Sequence, residues 1–173
     1  MNETLRTLRE RRSVRSFLAD PVPENILDAI LEAGTWAATG MNKQSPVMVV
    51  VRDKETIDYM ERLNAAVMGN PDGHPFYGAP VVVVVLADGD NYNWLRDGSL
   101  VMGNLMNAAH SLGVGSCWIN RAKEVFEREE GRALLRKWGL PENYRGVANC
   151  ILGWPEGHIP APKPRKADYI RKV

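Results

Sequence analysis

Five consecutive valines, Val81 to Val85, followed by Leu86 and Ala87, constrain this chain more than any other feature. β-Branched side chains favour extended backbone, and no polar residue interrupts the run. The pattern therefore predicts a strand covered on both faces. A strand of that kind lies inside a sheet, with other elements packed above and below it. It is also the longest purely apolar run in the sequence, and its seven residues are too few to cross a bilayer as a helix.

The rest of the chain supplies the cover. Apolar residues at helical spacing predict helices over residues 4–11, 24–37, 54–68, 94–112 and 123–138, the last weakened at Gly131. Residues 47–52, 114–120 and 146–153 read as three further strands. The 94–112 helix is the longest. Val101, Leu105, Ala108, Ala109 and Leu112 mark one face of it, which suits a central position or a subunit interface. Gly113 closes it. Strands alternate with helices from Val47 onward, so the expected class is α/β or α+β with one sheet. Short links and the absence of repeats predict a single domain over residues 1–173, with 155–173 as a proline-stiffened C-terminal arm. A chain of 173 residues, 45% apolar, can bury one core without staples.

Cys117 and Cys150 are the only cysteines. They exclude a disulfide scaffold and suit a reducing compartment, and no apolar stretch opens the chain as a signal peptide would, so a cytoplasmic location is expected. His74, His110 and His158 have no metal-ligand spacing, and no metal is expected. Neither a GxGxxG turn in the right context nor a GxxxxGK[ST] loop is present.

The net charge of +1 hides two basic ends. Arg11, Ser13 and Arg15 would share one side of an extended segment, with Arg12 between them. Such a row can clamp a phosphate or carboxylate, or be surface arginines at a helix end. Lys163 and Arg165, held extended by prolines, either complete the same anion site or form a solvated tail. Thr39, Asn42 and Gln44 can meet the polar edge of a flat heterocycle, or make a plain turn. In Gly115 to Asn120, the glycine would let a ligand approach the backbone and Trp118 would lie beside a ring; otherwise this is a core strand. Cys117 has no partner at a nucleophile's spacing. For Asp97, the one carboxylate of the long helix, capping, an ion pair and a site role all stay open. No triad, carboxylate pair or metal set emerges, so an enzyme of this sequence would leave the hard step to a cofactor.

Four segments in this order resemble the nitroreductase family of FMN-dependent oxidoreductases: Arg11-Arg12-Ser13-Val14-Arg15-Ser16-Phe17, the stretch from Ala38 to Pro46, the stretch from Leu112 to Ile119, and Leu152-Gly153-Trp154-Pro155 with Pro162 to Lys166. The resemblance implies an α+β fold, a mixed β-sheet flanked by helices, and a homodimer with the long central helix at its interface and FMN between the subunits. By position, Arg11, Ser13 and Arg15 with Lys163 and Arg165 would hold the phosphate, ribityl chain and pyrimidine edge, with Arg12 in contact. Thr39, Gly40, Asn42 and Gln44 would come from the partner subunit. Ser116, Trp118 and the backbone near Asn120 would line the ring around N5. The implied reaction is ping-pong hydride transfer from NAD(P)H to FMN and on to a nitroaromatic, quinone or similar small-molecule acceptor, without a general acid from the protein. Ala38 stands where the family commonly has proline, and the 69–80 and 88–93 links are too brief for lid helices. A flavoprotein of the same fold with another reductive substrate is the alternative: dehalogenation, flavin processing or a protein electron donor. A nucleic-acid binder is disfavoured by the near-zero net charge and by basic runs without interleaved aromatics.

Overall fold

The computed structural model describes all 173 residues. Four strands, β1 (Pro46–Val51), β2 (Val81–Asp88), β3 (Gly115–Ile119) and β4 (Tyr144–Gly153), form one sheet in the order β1-β2-β4-β3. The valine run is β2, an inner strand buried along its length. Its alternation divides the interior in two. Val82, Val84 and Leu86 face one core, and Val81, Val83, Val85 and Ala87 face the other. Helices α3 (Lys54–Val67), α5 (Ala122–Phe126) and α6 (Glu129–Lys137) cover the first face; α2 (Glu24–Thr35) and α4 (Trp94–Ser111) cover the second. α1 (Glu3–Glu10) packs outside, on α4. The fold is α+β, as expected.

All three strand pairings are antiparallel. The mixture of strand directions implied by the resemblance is confined to one isolated parallel bridge, Ser13 to Ser116. The chain leaves the free edge of β3 within four residues to pair Phe17 with Pro155 in the antiparallel sense, so no parallel ladder develops. The expected 123–138 helix is two helices. Arg128 is extended (φ −89°, ψ 161°) and separates α5 from α6. Gly131 sits where a Cβ would stand 2.2 Å from the Val125 carbonyl oxygen, so it serves close approach of α6 to α5.

α4 ends as the sequence indicates. Gly113 is left-handed (φ 77°) and donates to the His110 carbonyl, and Val114 donates to the Ala109 carbonyl, which is a Schellman motif. This turn feeds directly into β3. At the other end of the chain, Leu18 N–H donates to Trp154 O and Glu156 N–H to Ser16 O, so head and tail meet beside β3. Beyond Gly157 every residue is exposed. No helix is long and apolar enough to cross a membrane.

Candidate functional site

The basic head is held against the edge of the sheet. Arg11 caps α1 through its N–H to Thr7 O (3.0 Å), and Val14 N–H donates to Ser116 O at 2.9 Å. Gly115 makes this possible. A Cβ there would meet Val14 at 2.9–3.0 Å, so the room expected for a ligand is occupied by this strand-like segment. Ser13 thus lies beside Ser116, and the guanidinium groups of Arg11 and Arg12 are drawn partly inside.

Four side-chain atoms there are buried without a partner: Arg11 Nη1, Arg12 Nε and Nη2, and Ser116 Oγ. A buried donor left unpaired costs about 1–3 kcal/mol, more when charged, so such a set fits a ligand that brings acceptors to it. Arg12 Nη1 alone is engaged, on the Arg11 carbonyl. Behind these groups lies His110 of α4. Desolvation by burial holds its pKa below the usual histidine value; the charges of Arg11, Arg12 and Arg6 press the same way, and Glu10 opposes them.

The next residues of β3 form a wall. Trp118 and Asn120 project to the same side of the strand, and the indole Nε1 donates to Asn120 Oδ1 at 2.5 Å. The Asn120 carbonyl is fixed by Asn64 Nδ2 at 2.9 Å, and Asn64 is buried in α3. Arg121 follows in the left-handed region (φ 77°) and pairs with Glu124 at 2.8 Å. Trp118, Asn120, Arg121 and Arg15 line a cavity of about 290 Å³, roofed by Met68, Pro75 and Tyr77 of the 68–80 stretch. Cys117 is buried, and its Sγ reaches only the Trp118 carbonyl, at 3.6 Å. Burial pushes the Cys150 thiol up to about 12, so it is an inert core residue.

Thr39, Gly40, Asn42 and Gln44 form a separate loop around a short 3₁₀ turn (Gly40–Asn42). Thr39 and Gln44 line a second cavity, of about 180 Å³, between α2, β1 and α4. Gln44 donates through its backbone to Thr39 Oγ1 and through Nε2 to Asn42 Oδ1, both at 3.0 Å. Lys163 and Arg165 are exposed and enter no hydrogen bond or ion pair. The fold therefore brings Arg11 to Arg15 together with Ser116 to Asn120. Within one chain no hydrogen bond or ion pair joins the 39–44 loop or the arm to them. Asn64, Tyr77 and Arg121 escape a motif reading. Only Asn64 leaves a signal in the sequence, as a polar residue on the inward stripe of Ile57, Met60 and Val67.

An α+β sheet with buried, unpaired guanidinium donors at its edge and an indole-walled cavity beside them defines a protein built to hold a flat, anionic ligand. The chain belongs to the nitroreductase family, whose model matches residues 8–154. It superposes on a nitroreductase from Bacteroides fragilis solved with bound FMN, with a TM-score of 0.91, 31% identity and 100% of both chains covered. A nitroreductase from Desulfitobacterium hafniense, also with bound FMN, gives a TM-score of 0.90 at 29% identity over 100% of this chain and 99% of that one. An FMN reductase [NAD(P)H] from Bacillus subtilis is 27% identical over 188 aligned residues, covering 95% of this chain and 70% of that protein.

Proposed function

We propose that this chain is an FMN-dependent NAD(P)H oxidoreductase that works as a homodimer. The unpaired buried donors of Arg11 and Arg12, beside Ser116 and the Trp118 wall, carry this reading. The FMN-bound relatives of the same fold support it. Bound FMN would supply the redox chemistry, linking hydride donation by NAD(P)H to reduction of a nitroaromatic, quinone or similar electrophile in ping-pong order. The protein's residues bind, orient and shield. Arg11, Arg12, Ser13 and Arg15, with Lys163 and Arg165, hold the phosphate, ribityl chain and pyrimidine edge by charge-assisted hydrogen bonds. Their fixed positive charge favours negative charge on the pyrimidine side at no cost in reorganisation. Trp118, its indole N–H engaged by Asn120, presents a rigid apolar face, and with Ser116 and the Asn120 backbone it would line the flavin ring. Protons come from water.

The second copy is needed because the remaining binding groups stand apart in one chain. Thr39, Gly40, Asn42 and Gln44 come from that copy. The exposed apolar residues Leu5, Leu8, Trp36, Leu95, Leu100 and Leu112 of the packed α1, α2 and α4 region supply the surface to bury. An absorption spectrum of the purified chain tests the reading. A flavin band that bleaches under NADH or NADPH is expected, and protein that is colourless and takes up no FMN overturns it. Light scattering on the same sample reads the dimer. Steady-state rates with nitroaromatic, quinone, free-flavin and halogenated acceptors identify the class of electron acceptor.

A further inference from the structure

Asp97 is the one acid of α4, and only 4% of it is exposed. No lysine, arginine or histidine pairs with it, although burying a carboxylate without a cation is costly. Its bonds explain its place. Oδ1 accepts from the Gly40 N–H at 3.0 Å, and Oδ2 accepts from Asn91 Nδ2 at 3.4 Å. Asn91 is also buried, and its Nδ2 donates to Ser45 Oγ at 2.8 Å. Asp97 thus ties down both ends of the 40–45 loop, one directly and one through Asn91.

The loop between those ties is strained. Met41, Asn42 and Gln44 have φ of 54°, 53° and 48°, and none is glycine. Backbone of this kind persists only where the surroundings over-determine it. Gly40 lies close against the start of α4: a Cβ there would stand 2.3 Å from Asn93 Nδ2, a side-chain tip that would have to move aside. The first turn of α4 favours a negative side chain at position 97 and orients it.

We propose that Asp97 is a positioning residue for cofactor binding across the subunit interface. By holding Gly40 directly and Ser45 through Asn91, it keeps Asn42 and Gln44 in the left-handed geometry in which they meet the FMN of the second copy. This rests on the FMN-dimer reading above.

The test titrates the full-length apoprotein with FMN, following quenching of flavin fluorescence. Asp97→Ala removes both acceptors and raises Kd about tenfold or more, the equivalent of one charge-assisted bond. Asp97→Asn keeps an oxygen for Gly40 and restores Kd to within about threefold of the native value. In an Asn42→Ala background, Asp97→Ala adds less than about threefold, because the two act through one loop. A lower melting temperature with Kd unchanged, or full additivity with Asn42→Ala, assigns Asp97 a structural role only and overturns the proposal. If Asp97→Ala does not fold, Asn91→Ala decides: it cuts the Ser45 tie and raises Kd, and a native Kd refutes the tether. Native protein that binds no FMN overturns the FMN reading as well, whereas native protein that binds FMN beside unaltered variants overturns this inference alone.

Discussion

Arg12 shows how one residue can cost the free protein what it gives the complex. One of its N–H groups bonds the neighbouring carbonyl, while Nε and Nη2 are buried and unpaired. Arg12→Ala is therefore expected to raise the FMN Kd about tenfold or more, since a hydrogen bond to a charged group nets about 1.5–3 kcal/mol. The same change should leave the melting temperature of the apoprotein unchanged or higher, because an uncompensated buried donor disappears. Flavin fluorescence and thermal melts on one preparation read both signs. Arg15→Ala, on the rim of the Trp118 cavity, should weaken FMN comparably, and unaltered retention in both variants would remove the anion assignment. His110, behind the arginines, makes a separate demand. Burial, joined by Arg11, Arg12 and Arg6, lowers its folded-state pKa beneath that of the unfolded chain. Below the unfolded value of about 6.5 the unfolded chain binds more protons than the native one, so stability falls with pH down to the lowered value and is unaffected above the window. His110→Gln should flatten that slope. Melts at about pH 7.5 and about pH 5.5 that drop equally in both proteins would contradict it.

At the scale of elements, Gly131 is the most closely packed of the glycines. An added methyl would stand 2.2 Å from the Val125 carbonyl oxygen and 2.6 Å from Phe126 Cα, and backbone cannot yield as a side-chain tip can. Gly131→Ala should cost about 1–3 kcal/mol, although alanine is the better helix former. At about 2–4 °C per kcal/mol for a chain of this size, calorimetry should show a fall of roughly 2–12 °C. A melt at the native temperature would mean that α6 can shift away from α5. In the sequence Gly131 is a weakness within one helix, because propensity sees the missing Cβ and not the carbonyl that fills its space. β2 was legible for the opposite reason: with Val81 to Ala87 all buried, composition alone determined its surroundings. The Schellman end of α4 was legible from Gly113, since the left-handed turn after a helix selects glycine. The 39–44 loop was not. Met41, Asn42 and Gln44 adopt that same region with no glycine among them, held by Asp97 and Asn91 from distant parts of the chain. The family resemblance places Ser13 and Ser116 around one cofactor, but the close packing of Val14 on Gly115 that joins them needs the folded backbone.

For the whole molecule, the decisive question is where the two basic ends of the chain do their work. The head is built into the protomer: Val14 and Phe17 are in the core, and residues 16–18 pair with 154–156. The arm beyond Gly157 is exposed throughout, and its contacts are local: Tyr169 N–H donates to the Lys166 carbonyl at 3.3 Å, Lys166 lies 4.0 Å from Asp168, and Lys166 stands over the Tyr169 ring. These sixteen residues, with Pro160, Pro162 and Pro164 among them, add no core to a lone protomer, whereas in the proposed dimer they would carry Lys163 and Arg165 to the phosphate. Leu100, 51% exposed on α4, lies on the surface assigned to that dimer. Leu100→Glu should yield a folded monomer that has lost most of its FMN, read by light scattering and flavin absorbance together. A chain ending at Gly157 separates the arm from the interface. Its apoprotein should melt near the native temperature, because none of the deleted residues belongs to either core of the protomer. Its FMN Kd should rise about tenfold or more, because two cationic donors to the phosphate are lost. The loss should also be graded by salt, since exposed charges are screened beyond about 10 Å at 0.1 M ionic strength. Native FMN affinity in the shortened chain would leave Arg11, Arg12 and Arg15 as the whole anion site and detach the arm from cofactor binding.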